Sequence, residues 1–140
     1  MHRLIYRSKA AGVIDKETFR DILYTSGEMN RSNGLNGALL ATRTHYLQFL
    51  EGEYENVNTT FSRIAEDPRH TDIDLITFDA VENGIFDSWS MRGFGIFDLN
   101  LDLETQLKEK YGVENGDICL PRDAEGALSL ARDVSILKKD

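Results

Sequence analysis

The spacing of apolar residues switches back and forth between strand-like and helix-like along this chain, and that switching limits its fold more than any single motif does. Residues Arg3 to Ser8 suit a short first strand. Asp15 then offers an N-cap for a helix predicted to end near Asn30, in which Phe19, Ile22, Leu23, Ser26 and Asn30 share one face at helical spacing. Two strand-like runs follow, Leu35–Ala41 and His45–Glu51, close enough to form a hairpin. Their link, Thr42-Arg43-Thr44, lacks the Gly or Asn that would announce a turn type. A second helix is predicted over Tyr54–Glu66, with Val57, Phe61 and Ile64 facing the core and Pro68 limiting its extension. Ile73–Ala80 and Ser88–Ile96 read as two further strands. The order is βαββαββ, which predicts an α+β sandwich with both helices on one face of a mixed sheet.

The tail has a different character. Leu103, Leu107 and Tyr111 are spaced four apart and Gly112 follows as a helix stop. A second short helix is expected after Pro121, capped by Asp123, with Ala127, Leu130, Ala131 and Val134 on one face. The fourth strand carries apolar side chains on both faces (Ile73 and Leu75, then Ile76 and Phe78), so a helical cap over the second face is the expected role of the tail. The division is therefore a core over residues 1–100 and a C-terminal two-helix cap over 101–140.

Bulk properties exclude several classes. At 140 residues the chain fits one domain that needs no metal or disulfide to complete its core. One cysteine, Cys119, allows no internal disulfide, and no apolar run approaches a membrane span of roughly 20 residues. Together with an N-terminus that lacks a long apolar run, this predicts a cytoplasmic protein with no membrane partner. A net charge of −8, spread along the chain, argues against nucleic acid, whose affinity comes mostly from Lys and Arg on phosphates. There is no Gly-rich phosphate loop, no Cys/His metal spacing and no nucleophile beside a placed base. Neither an enzyme nor a metal site is expected.

What stands out is polarity in apolar places. Gln48 lies mid-strand in YLQFL, on the face of Tyr46 and Leu50, where an unpaired amide would be costly. Taken alone, it reads more simply as a core Gln bonded to backbone, or one looking out through a gap. Ser26 and Asn30 end the inward stripe of the first helix, where Asn30 also suits a C-terminal cap. Tyr6, mid-strand, reads as an ordinary core aromatic. Arg63 and Asp67 are either a surface i,i+4 ion pair or a rim for an anionic or polyhydroxy ligand, and His70 beside them reads as surface decoration. Trp89 and Met91, on one face of the last strand, suit packing. Together the polar residues suggest an apolar slot between the two helices for a flat heteroaromatic ligand.

The segments RLIYRS (3–8), NRSNGLNGALL (30–40), YLQFLEGE (46–53), FSRIAEDPRH (61–70) and WSM (89–91) resemble, in order, the signature segments of the BLUF family of blue-light sensors. The resemblance implies a ferredoxin-like sandwich holding FAD non-covalently between the two helices. It makes Tyr6 the photoactive tyrosine and Gln48 the switching glutamine. Asn30 would bond the isoalloxazine edge, with Ser26 near the flavin, and Arg63, Asp67 and His70 would lie along the FAD tail. Trp89 and Met91 would carry signal output. Asn36 departs from the family pattern, in which Thr is frequent. The implied mechanism is electron and proton supply by the tyrosine, relay by the glutamine, and a new hydrogen bond to the flavin carbonyl that shifts absorption to the red. The downstream partner or effector is not named by the sequence, and homo-oligomerisation is compatible with it. Two other classes compete. An acylphosphatase-like enzyme would need an Arg- and Gly-rich anion loop, which SKAAGVIDKE does not resemble. A non-photoactive ligand-binding or adaptor domain on the same fold would be colourless.

Overall fold

A computed structural model of the protein describes residues 1–86 and 91–134. Its core elements are β1 (His2–Ala10), α1 (Lys16–Ser32), β2 (Asn36–Ala41), β3 (His45–Gly52), α2 (Tyr54–Ala65), β4 (His70–Ala80) and β5 (Arg92–Gly95). They run in the expected βαββαββ order. The sheet order is β4-β1-β3-β2-β5, antiparallel throughout except for the parallel β2/β5 pair. All eight residues of the central strand β3 are buried.

Alternation along the strands divides the interior. Leu4, Tyr6, Leu39, Tyr46 and Leu50 pack beneath α1 and α2, whose Phe19, Ile22, Val57 and Phe61 cover them. Ile5, Ala38, Leu40, Leu47 and Phe49 face the other way. That second face is closed by α3 (Leu101–Tyr111) and α4 (Ala124–Asp133), through Leu107, Ala127, Leu130, Ala131 and Val134. The tail thus covers the second face, as its stripe predicts.

Local chemistry fixes the ends. The Asp15 carboxylate accepts from the backbone N–H of Thr18 at 2.7 Å, and Asp123 does the same for Gly126 at 2.6 Å. Thr42 makes the β2–β3 turn without glycine, its hydroxyl accepting from the N–H groups of Thr44 and His45 at 3.3 and 3.1 Å.

Several expectations are corrected. The first helix continues past Asn30 to Ser32 and is capped by Asn33, so Asn30, 1% exposed, faces inward instead of ending the helix. Strand β4 starts at His70, not Ile73, because β1 extends to Ala10 and pairs with it there. A register shift opposite Ile5/Tyr6 resets the alternation of β4. Ile73 and Phe78 therefore share the helix-side cluster, Ile76 packs under the cap, and Leu75 is half exposed. The last strand begins at Arg92; Met91 precedes it, and Trp89 lies outside the described residues. A small hairpin, β6 (Val113–Glu114) and β7 (Asp117–Ile118), was not expected between α3 and α4. Its turn is Asn115-Gly116, both at positive φ (53° and 85°), the arrangement that tight hairpins favour.

Candidate functional site

On the helix side of the sheet the chain leaves an open slot of about 390 Å³. Its apolar walls are Ile22 of α1, Leu39 of β2 and Ile64 of α2, and its floor carries Tyr6, Tyr46 and Gln48. A second opening of about 370 Å³ runs from Gln48 towards Asn30, Ser26 and Arg63. Gly37 makes this junction close-packed, since a Cβ there would lie 2.2 Å from the Phe49 carbonyl oxygen and 3.5 Å from the Asn30 side-chain nitrogen.

The floor is built by strand register. Tyr6 of β1 and Gln48 of β3 are directly paired across the ladder, so both side chains leave the same face. The buried Tyr6 hydroxyl donates to Gln48 Oε1. With that oxygen taken, what Gln48 offers a ligand is its NH2 group, a donor. Burial, then the neighbouring Tyr46 and Asp67, push the Tyr6 phenol far above its ordinary 10.0, against a smaller opposing pull from Arg69. Tyr6 therefore keeps its proton at any physiological pH. Burial also raises Tyr46, to about 12. Aromatic edges surround the phenol, with Phe61 at 5.4 Å and His70 at 6.0 Å between ring centroids.

His70 is not surface decoration. It is 9% exposed, and both of its nitrogens are occupied. Nε2 lies 2.6 Å from the Ile64 carbonyl oxygen, which only accepts, so Nε2 donates. Nδ1 lies 2.8 Å from the Ser8 hydroxyl, which donates to it in the neutral ring. His70 lines the slot as a wall that joins β1 to the end of α2.

Asp67 is paired differently from the sequence expectation. Helix α2 ends at Ala65, so the i,i+4 geometry with Arg63 is lost. Asp67 instead accepts the Arg69 backbone N–H at 2.9 Å and grips its guanidinium at 2.5 to 3.0 Å. The Arg69 hydrogen bonds hold the Asp67 carboxyl below the usual carboxylate range. Arg69, which sequence reasoning missed, lines both openings; the signal was the Asp-Pro-Arg turn. Arg63 stands exposed on the rim. Met91 packs in the cluster of Phe19, Leu39 and Tyr46, one layer behind the slot. Among the described residues no group of His, Cys, Asp and Glu could hold a metal ion, and no helix is long and apolar enough to cross a membrane.

Comparison with known proteins decides the family. The BLUF model, described as sensors of blue light using FAD, matches residues 1–92. The chain belongs to the BLUF family. It is 30% identical over 98 residues to the blue light- and temperature-regulated antirepressor BluF of Escherichia coli (strain K12), covering 70% of this chain and 24% of that protein. It is 28% identical over 89 residues to the photoactivated adenylate cyclase subunit beta of Euglena gracilis, covering 63% of this chain and 10% of that protein. The chain thus spans at most about a quarter of these curated relatives. The dark-state structure of the BLUF protein BlrB superposes with a TM-score of 0.73 at 24% identity, over 96% of this chain and 94% of that one, and shares its α+β, ferredoxin-like fold. As a BLUF protein, the chain is a flavin-based blue-light sensor that uses FAD.

Proposed function

We propose that FAD lies between α1 and α2 with its flavin edge on Asn30 and Gln48, and that light is read by the Tyr6–Gln48 pair. The observation that carries this is the buried hydrogen bond from the Tyr6 hydroxyl to Gln48 Oε1 on the floor of the slot. The residues present suit the group: apolar walls for a flat ring, amide donors at its edge, and Arg69 and Arg63 at the mouth for anionic phosphates. Ser26 sits beside the ring, and His70 shapes the slot while holding β1 against α2.

Bound FAD supplies a chromophore that becomes a strong oxidant on absorbing blue light. Tyr6, neutral and buried, gives up an electron only if its proton leaves with it, and Gln48 Oε1 is the atom placed to take that proton. Gln48 then rearranges, by rotation or tautomerisation, into a state with a different donor pattern towards the slot. When an electron and a proton have both returned to Tyr6, the chain carries no net redox change and no substrate has turned over. The changed amide biases the packing around Met91, with Trp89 in the same output segment, and of the cap (residues 101–140) over the core (1–100). The relatives named for antirepression and adenylate cyclase support an output passed to a partner protein or an attached effector.

The test is spectroscopic. Purified chain loaded with FAD should show a small, reversible red shift of the flavin bands under blue light, with the flavin still oxidised. Bleaching without a shift, or failure to hold FAD, would overturn the reading.

A further inference from the structure

We infer that Glu51 is the positioning residue that ties the Gln48 strand to the segment leading into Met91. This inference rests on the reading above. Strands β4 and β5 are opposite edges of the sheet, so the chain between them must cross all the others. Its residues Ile85 and Phe86 lie on the cap side, packed with the cluster of Ile5, Leu47 and Phe49. The central strand β3 holds it there at two points. Phe86, fully buried, packs against Phe49 with ring centroids 5.2 Å apart. The Glu51 carboxylate, with no exposed side-chain surface, accepts from the N–H of Ile85 at 3.0 and 3.2 Å and of Phe86 at 3.3 Å, and from Arg3 Nε at 2.7 Å.

A carboxylate so buried is costly unless charge and hydrogen bonds compensate it. Here one cation and two backbone N–H groups do so, and two of those three donors belong to the crossing segment. Gly84 makes the approach fit, because a Cβ there would lie 2.7 Å from Glu51 Oε1. Gln48, Phe49 and Glu51 are therefore contacts carried by one buried strand, with the slot on one face and residues 84–86 on the other. A change at Gln48 that shifts β3 reaches residues 84–86 through Phe49 and Glu51, and Met91 lies five residues beyond Phe86. The coupling is mechanical, through a strand and the buried carboxylate it carries.

Two variants break the contact from opposite sides. Glu51→Gln keeps volume and a carbonyl acceptor but loses the charge, and Gly84→Ala leaves residue 51 as it is and pushes the loop off its carboxylate with the added methyl. With the full chain and FAD, both should keep the flavin and the red shift. Both should change the dark recovery rate by about twofold to thirtyfold, the range that the coupling energies of such networks correspond to. Both should also shrink the light-minus-dark difference in amide exchange over peptides spanning residues 84–91. If both lower only the melting temperature, with parent-like recovery and parent-like exchange differences, Glu51 is a fold staple and the inference is overturned. A parent chain with no red shift would remove the underlying reading and this inference with it. A normal parent shift with unaffected variants removes this inference alone.

Discussion

Tyr6 and Gln48 form one chemical unit, because the phenol donates its hydrogen bond to the amide's oxygen and neither group has the same role without the other. Tyr6→Phe keeps the ring and removes the proton donor, and Gln48→Leu keeps the bulk and removes the acceptor. Each leaves the apolar packing nearly intact, so both variants should fold and retain FAD. Light-minus-dark absorbance should show no red shift in either, and the double variant should be no worse than a single one, since members of one unit are non-additive. A parent-like shift in either single variant would refute the mechanism. The two arginines at the mouth should separate in the same way. Arg69 lines both openings and orders Asp67, whereas Arg63 lines only the second and stands exposed on the rim. Arg69→Ala should weaken FAD retention by about tenfold or more, the loss of a charge-assisted contact. Arg63→Ala should cost less and leave the photocycle of bound flavin intact. Flavin fluorescence on dilution measures both, and equal losses would mean that Arg69 serves only its turn.

The elements are joined by polar anchors as well as by apolar faces. Arg7, next to Tyr6 but on the opposite face of β1, is 4% exposed. Its Nε donates to the Leu120 carbonyl oxygen at 3.0 Å, and its guanidinium pairs with Glu114 of β6. Glu114 also meets Arg122 at 3.3 Å, so a buried core arginine latches the cap to the sheet. Arg7→Ala should cost about 3 kcal/mol, as expected when one partner of a buried pair is removed. Limited proteolysis should then cut within residues 101–134 while the red shift persists; an unchanged melting curve would show that apolar packing alone holds the cap. This anchor was invisible in the sequence because it joins residues more than a hundred positions apart. The order of strands and helices was legible, since it depends on local periodicity. Gln48 and Asn30 were legible as polar residues interrupting apolar stripes. The β6–β7 hairpin was missed although Asn115-Gly116 is a strong turn signal, because two-residue strands carry no alternation to read. His70 was misread because its burial depends on Ser8, which is 62 positions away, and Arg69 was passed over because its place at the slot depends on the fold of the turn after α2.

At the scale of the whole molecule the sheet works as a partition, with the open slot on one side and residues 85–86 and the cap on the other. The seam where the β2–β3 turn meets the cap contains a titrating group that makes stability depend on pH. His45, 7% exposed, lies 3.7 Å from Glu114 and 2.7 Å from the Thr44 hydroxyl. Burial, then the nearby Arg7, hold its pKa below the ordinary 6.5, against a smaller opposing effect of Glu114. In the unfolded chain the same imidazole takes up a proton at its ordinary value, so below 6.5 the unfolded state binds more protons than the folded one. The stability carried by neutral His45 is complete above that value and declines as pH falls towards the folded pKa. Asp67, held low by Arg69, adds a separate loss of the same sign below its ordinary 3.8. Urea unfolding between about pH 7.5 and 5 should therefore give a falling free energy, since stability rises with pH wherever the unfolded state holds more protons. His45→Gln removes the titration while keeping a hydrogen-bonding side chain, so its profile should be flatter than the parent's over this interval. Comparing the two cancels the change in overall charge repulsion, which both share. Parallel profiles would mean that His45 titrates alike in the folded and unfolded chain and that the cap seam carries no pH dependence.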